Sequence, residues 1–256
     1  MSDETSPWAG VGPGGLITTS FMALALLAAG SAAGAILSAV NGAPAGVLGF
    51  GAAALLLAHL VGVGVITWWR PRRSAGPTGP DPVTFRYSRW SYYWPAATLL
   101  LITGALVLFG WGSLAAGDSI GIALAVISLT AVVLLGWSTV RMLSGAPGRL
   151  CLTPSGLVHH GPGFTHRLPW DSVAEIRPAA IGGSPMILVA PYSSAPVEIT
   201  GRRSPALPDM AIRGMWLASD PVLVYRTLRH YQANPAHRAE LSSGAALNRI
   251  HQRRLG

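Results

Sequence analysis

Four stretches of this chain run for 22 to 24 residues with almost nothing but apolar and small side chains, at 17–40, 46–69, 95–116 and 119–140. A helix needs about 20 such residues to cross a hydrocarbon layer roughly 30 Å thick, so each is long enough to span a bilayer. Within them only His59 is ionisable, and the first basic residue of the chain is Arg70. Half of the residues are hydrophobic and 11% are charged, which excludes an ordinary soluble domain. The fold class that follows is a membrane all-α four-helix bundle at 17–144, with a short leader at 1–16 before it and a different kind of structure after it. A secretory signal cut near Ala43-Pro44-Ala45 would need a basic leading segment, whereas the leader holds Asp3 and Glu4 and no Lys or Arg. The first stretch therefore reads as a retained span.

Orientation follows from where the arginines fall. The 70–94 loop carries five and the chain from Arg141 onward carries thirteen, while the connections near Asn41-Gly42 and Gly117-Asp118 carry none. Basic residues beside a span stay in the cytoplasm, which places the N-terminus, the 70–94 loop and the C-terminal region inside and makes this a multi-pass plasma-membrane protein. The net charge of +8 then reflects topology, and nucleic acid is not an expected partner. The partners implied are the bilayer, anionic lipids of its inner leaflet and a membrane or cytoplasmic protein. Trp68, Trp69, Trp90, Tyr92, Tyr93 and Trp94 form an aromatic belt at the inner boundary. Gly30 and Gly34 make a small-xxx-small pair suited to close helix packing. His59 is the one polar group at depth that could relay a proton, yet no span offers it a charged partner, and a hydrogen-bonded structural role is the simpler reading.

After Arg141 the pattern shortens to strands and turns: RLCLT, the Pro154-Ser155-Gly156 turn, LVHH, the Gly161-Pro162-Gly163 turn and FTHRLPW, then MILVA and VEIT. Gly156 is expected to supply a positive φ, and Trp170 a large core side chain. Asp220 caps a helix with Pro221 in its first turn, and Val222, Tyr225 and Leu228 share a face. The result is a C-terminal α+β module at 145–232, followed by a polar tail at 233–256 with room for one short helix.

The run Leu152-Thr153-Pro154-Ser155-Gly156-Leu157, followed by Arg167-Leu168-Pro169-Trp170-Asp171-Ser172-Val173, resembles the opening of a bacterial pleckstrin-homology-like (PH-like) domain. The string DPVLVYRTLRHYQANPAHRAEL is similar to the closing helix of actinobacterial members, and the use of Arg in place of Lys throughout agrees with a high-GC source. The resemblance implies a bent antiparallel sheet capped by one helix, often attached to membrane spans, with no activity attached. Lipid-binding relatives hold phosphates with basic residues in the first hairpin loop, where this chain has HHGPGFTHR.

No catalytic, cofactor-binding or metal-ligating set emerges, and the chain reads as no enzyme. His159, His160 and His166 are the best candidates for metal ligands, but His159 and His160 point to opposite faces of one strand and cannot easily join one site, which argues for solvated or edge histidines. Cys151 reads as a reduced buried thiol. The candidate contact residues for anionic lipid or a partner are Arg202, Arg203 and Arg213 of the module with Arg70, Arg72 and Arg73 of the loop, where Arg86 and Arg89 would share the surface, each near-surface cation contributing about 1 kcal/mol. The expected function is that of a membrane-anchored interaction or accessory protein displaying its module to the cytoplasm. A small transporter or channel component with a regulatory domain is the alternative.

Overall fold

The computed structural model describes residues 6–68, 76–79, 83–144, 148–161, 163–193, 198–201 and 209–255. The chain forms two compact units, one of 13–70 with 93–143 and the other of 1–12, 71–92 and 144–256.

Among the described residues the first unit has four helices, α1 (Gly15–Val40), α2 (Pro44–Trp68), α3 (Trp90–Ala115) and α4 (Ser119–Ser144). All four contain segments long and apolar enough to cross a membrane, with mean hydropathy between 1.9 and 2.4. Their apolar side chains point outward, with Leu26 71% and Trp111 75% exposed, an arrangement stable only where the surroundings are themselves apolar. Both hairpins close tightly. Gly42 and Gly117 take positive φ (65° and 74°) at the two turns, and the Asp118 carboxylate accepts the Gly121 N–H at 2.6 Å to cap α4. A Cβ on Gly34 would stand 3.0 Å from the Phe50 ring across the α1–α2 contact, while one on Gly30 would meet nothing within 4 Å. Of the two glycines, only Gly34 sits at a close approach. Gly34→Leu is therefore expected to destabilise the hairpin by about 1–3 kcal/mol through overpacking, and Gly30→Leu by much less, read from thermal unfolding in detergent.

Among the described residues the second unit has eight strands in two antiparallel sheets. One has the order β1-β2-β3-β4-β7, from β1 (Val83–Arg86), β2 (Arg149–Leu152), β3 (Gly156–Gly161), β4 (Phe164–Pro169) and β7 (Glu198–Gly201). The other has the order β5-β6-β8, from β5 (Val173–Ile181), β6 (Ser184–Pro191) and β8 (Met210–Arg213). A helix α5 (Pro221–Ala233) follows, capped by Asp220, whose carboxylate accepts the Val222 N–H at 3.0 Å. The core takes the inward residues of both sheets, among them Phe85, Leu150, Leu168, Ile187 and Met210, with Val224, Leu228 and Tyr231 of α5. Trp170 is buried in a short 3₁₀ turn after β4, its indole N–H donating to the Thr153 carbonyl at 2.8 Å. The Gly182-Gly183 pair, both at positive φ, closes the β5–β6 hairpin.

Several features depart from the sequence reading. The unit reaches outside 145–232: β1 comes from the 70–94 loop, and Trp8 of the leader is 7% exposed in the core. The Trp8 indole N–H donates to the Ala179 carbonyl at 2.7 Å and its ring meets Tyr225 edge-on at 5.7 Å. The 233–256 tail is also part of the core, because a 3₁₀ helix (Pro235–Ser242) and α6 (Gly244–His251) bury Leu241, Ala246 and Ile250, and Leu255 follows them in. Arg249 grips Glu240 through two hydrogen bonds of 2.8 and 2.7 Å across this tail. On α5 the buried stripe is Val224-Leu228-Tyr231; Val222 and Tyr225 lie at its margin, since Tyr225 covers Trp8. Gly156 is absent from the positive-φ residues. Its role is close approach, for a Cβ there would stand 2.5 Å from the Leu168 carbonyl oxygen.

Candidate functional site

Strand alternation sorts β1 to β4 into two faces. Val83, Phe85, Leu150, Leu152, Leu157 and Leu168 point into the core, so the residues between them point outward. Register then lines up the outward side chains in rows. One row runs Arg86, Arg149, His160, Thr165, each the cross-strand partner of the next. The adjacent row runs Thr84, Cys151, Val158, Arg167, Glu198. Three arginines and a histidine thus share one face of the five-stranded sheet.

That face is recessed at its centre. A cleft of about 440 Å³ opens on it, lined by Thr84, Arg149, Cys151, Thr153, Ser155, Val158, His160 and Arg167. Cys151 is a buried free thiol, 3.6 Å from the Thr84 hydroxyl. Among the described residues none of Arg86, Arg149 and Arg167 has a carboxylate within ion-pairing distance, although Glu198 is the register partner of Arg167. The His160 imidazole, which meets the Thr165 hydroxyl at 3.1 Å, is held below its ordinary pKa by partial burial and by the Arg149 and Arg167 charges. Like charges directly opposite on neighbouring strands repel, so this row carries an unbalanced positive potential.

Behind the face lies a buried polar group that corrects the expectation of solvated histidines. His159 and His166 are each 1% exposed and are cross-strand partners on the core side. The Tyr87 hydroxyl and His159 Nε2 are hydrogen-bonded to each other, and Phe164 meets the His159 ring edge-on at 5.3 Å. Burial first, then the neighbouring His166 and His160, pushes His159 down to about 3, and burial pushes Tyr87 up, so both are neutral. His166 is also lowered by burial, and its Nε2 has no partner among the described residues.

Arg70, Arg72, Arg73, Arg202 and Arg203 lie outside the described residues. Arg213 is exposed at the end of β8, its guanidinium 4.9 Å over the Trp216 ring, on the other sheet from the basic face. His59 stands 3.2 Å from the Trp94 carbonyl, to which an Nε2–H donates, with its ring 4.6 Å from the Trp94 ring. This contact satisfies a polar group between α2 and α3. Arg149, His160 and Arg167 were missed as a set because they are separated in sequence and meet only through register. The available signal was the outward parity of R149-x-C151 and V158-x-H160. Comparison with family models, curated protein sequences and solved structures yielded no match.

Proposed function

We propose that this chain is a membrane-anchored interaction protein whose α+β unit, PH-like in its paired antiparallel sheets and closing helix, presents a basic sheet face to an anionic surface. The observation that carries this is the row Arg86-Arg149-His160 with Arg167 beside it, whose arginines have no carboxylate within ion-pairing distance among the described residues. A cytoplasmic placement beside anionic inner-leaflet lipid agrees with the arginine count of the loops. The shared core supports a common side as well: Trp8, the β1 strand and the C-terminal sheets pack into one core, which fits all three segments lying on the same side of the bilayer with an even number of crossings between them.

The test uses the full chain in phosphatidylcholine nanodiscs mixed with separate vesicles. Co-sedimentation is expected with phosphatidylglycerol vesicles and not with phosphatidylcholine vesicles, weakening as salt rises from 0.15 to 0.5 M. Replacing Arg86, Arg149 and Arg167 by Gln together removes about 1 kcal/mol per cation, roughly a hundredfold loss of affinity. Equal co-sedimentation of the triple variant would overturn the reading.

A further inference from the structure

We infer that the recessed centre of the basic face is a site for a phosphomonoester, a dianionic phosphate carried on a small organic group; this rests on the reading of that face as anion-binding. The cations converge on the cleft from two directions. Arg149 comes from β2 and Arg167 from β4, while His160 comes from β3, the strand between them. Arg149 is the cross-strand partner of His160, and Arg167 lies one row along on the neighbouring strand, so both arginines flank that histidine on the same face. A guanidinium is a planar fork matched to pairs of oxygens, and two forks with a third donor suit a group with three equatorial oxygens and nearly two charges. A carboxylate offers one charge and two oxygens and leaves a fork unfilled.

The shape indicates that the phosphate is not alone. At about 440 Å³ the cleft falls in the range of small-molecule sites and exceeds what a bare phosphate occupies. Its lining includes the apolar side chains of Cys151 and Val158, and Cys151 is only 6% exposed. An organic substituent lies against these side chains, with the Ser155 hydroxyl, 3.1 Å from Thr153 Oγ1, also in the lining. A recess takes a discrete ligand better than a flat layer of headgroups does, which favours a water-soluble phosphomonoester. Glu198 is the one carboxylate on the two rows, beside Arg167, and it opposes the ligand charge.

Calorimetry on the full chain in phosphatidylcholine nanodiscs tests this with phenyl phosphate and, as a monoanion of similar shape, benzenesulfonate. Phenyl phosphate is expected to bind at least tenfold more tightly than benzenesulfonate. Arg149→Gln and Arg167→Gln each weaken it about tenfold or more, Glu198→Gln strengthens it about threefold, and Arg213→Gln leaves it unchanged. Arg149→Lys, which keeps charge and loses the fork, falls between, and it decides the matter if a Gln variant fails to fold. Absence of heat, or the same affinity in wild type and both Gln variants, overturns the proposal. Adding 10% phosphatidic acid to the nanodiscs separates the sources: unchanged phenyl phosphate binding supports a soluble ligand, and loss of it overturns that source in favour of a headgroup. If phosphatidylglycerol vesicles are still captured in an Arg-dependent way while phenyl phosphate gives no heat, the phosphomonoester site falls alone. If both are lost, the anionic-surface reading falls with it.

Discussion

Phe85→Ala is expected to lower the unfolding free energy of the α+β unit by about 3–5 kcal/mol, the usual cost of deleting a fully buried aromatic side chain. Phe85 has 0% exposure and lies in β1, opposite Leu150, more than sixty residues before the sheet it completes. A typical domain is stable by only 5–15 kcal/mol, so the variant should leave much of the unit unfolded on mild heating. Pulse proteolysis of the full chain, following cleavage within 149–255, reads this directly. A change below about 1 kcal/mol would mean that β1 is an accessory to the sheet and not part of its core.

The second large effect is acid lability centred on His159. Its folded-state pKa is pushed down to about 3 from the ordinary 6.5, so the unfolded chain binds a proton that the folded chain refuses. The stability from keeping this ring neutral is complete well above pH 6.5 and is lost as pH falls from 6.5 towards 3. Linkage gives about 1.4 kcal/mol per pH unit in that window, hence about 2 kcal/mol between pH 7 and pH 5. His166 and His230, both lowered chiefly by burial, act in the same direction. Replacing Tyr87 by Phe and His159 by Leu together removes the titrating group without orphaning a buried hydroxyl. The double variant should lose about 2 kcal/mol less than wild type across that pH interval, measured by denaturant unfolding at each pH. Parallel curves would show that His159 does not carry the acid sensitivity.

The parts of the fold legible in the sequence are those set by local chemistry. Unbroken apolar length gave α1 to α4 within a few residues at most ends, Pro-Ser-Gly and Gly-Pro-Gly marked the turns of β2 to β4, and Asp220-Pro221 marked the start of α5. What stayed hidden depends on distant partners. Val83–Arg86 is four residues long and flanked by turn-forming residues, and it is a strand only because β2 pairs with it. Trp8 carries no local signal for a seat between Ala179 and Tyr225. In the tail, Leu241, Ala246 and Ile250 are too sparse to advertise a packed face, yet the core closes over them. The histidines expose the limit most clearly. Alternation puts His159 and His160 on opposite faces, but which one is inward is a one-residue question of register, and Leu157 packing against Leu168 settles it. The basic face inherits the same dependence, because its arginines come from three strands and meet only once those registers are set.

The most direct test asks on which side of the membrane the leader, the 70–94 loop and the C-terminal sheets lie. In a Cys151→Ser background, single cysteines are placed at the exposed positions Ala9, Thr78 and Ser193, and intact cells are treated with a membrane-impermeant maleimide before and after lysis. All three should be silent in intact cells and react once the cells are opened. Labelling of one position from outside while another stays protected would contradict a single core shared by segments from both ends of the chain.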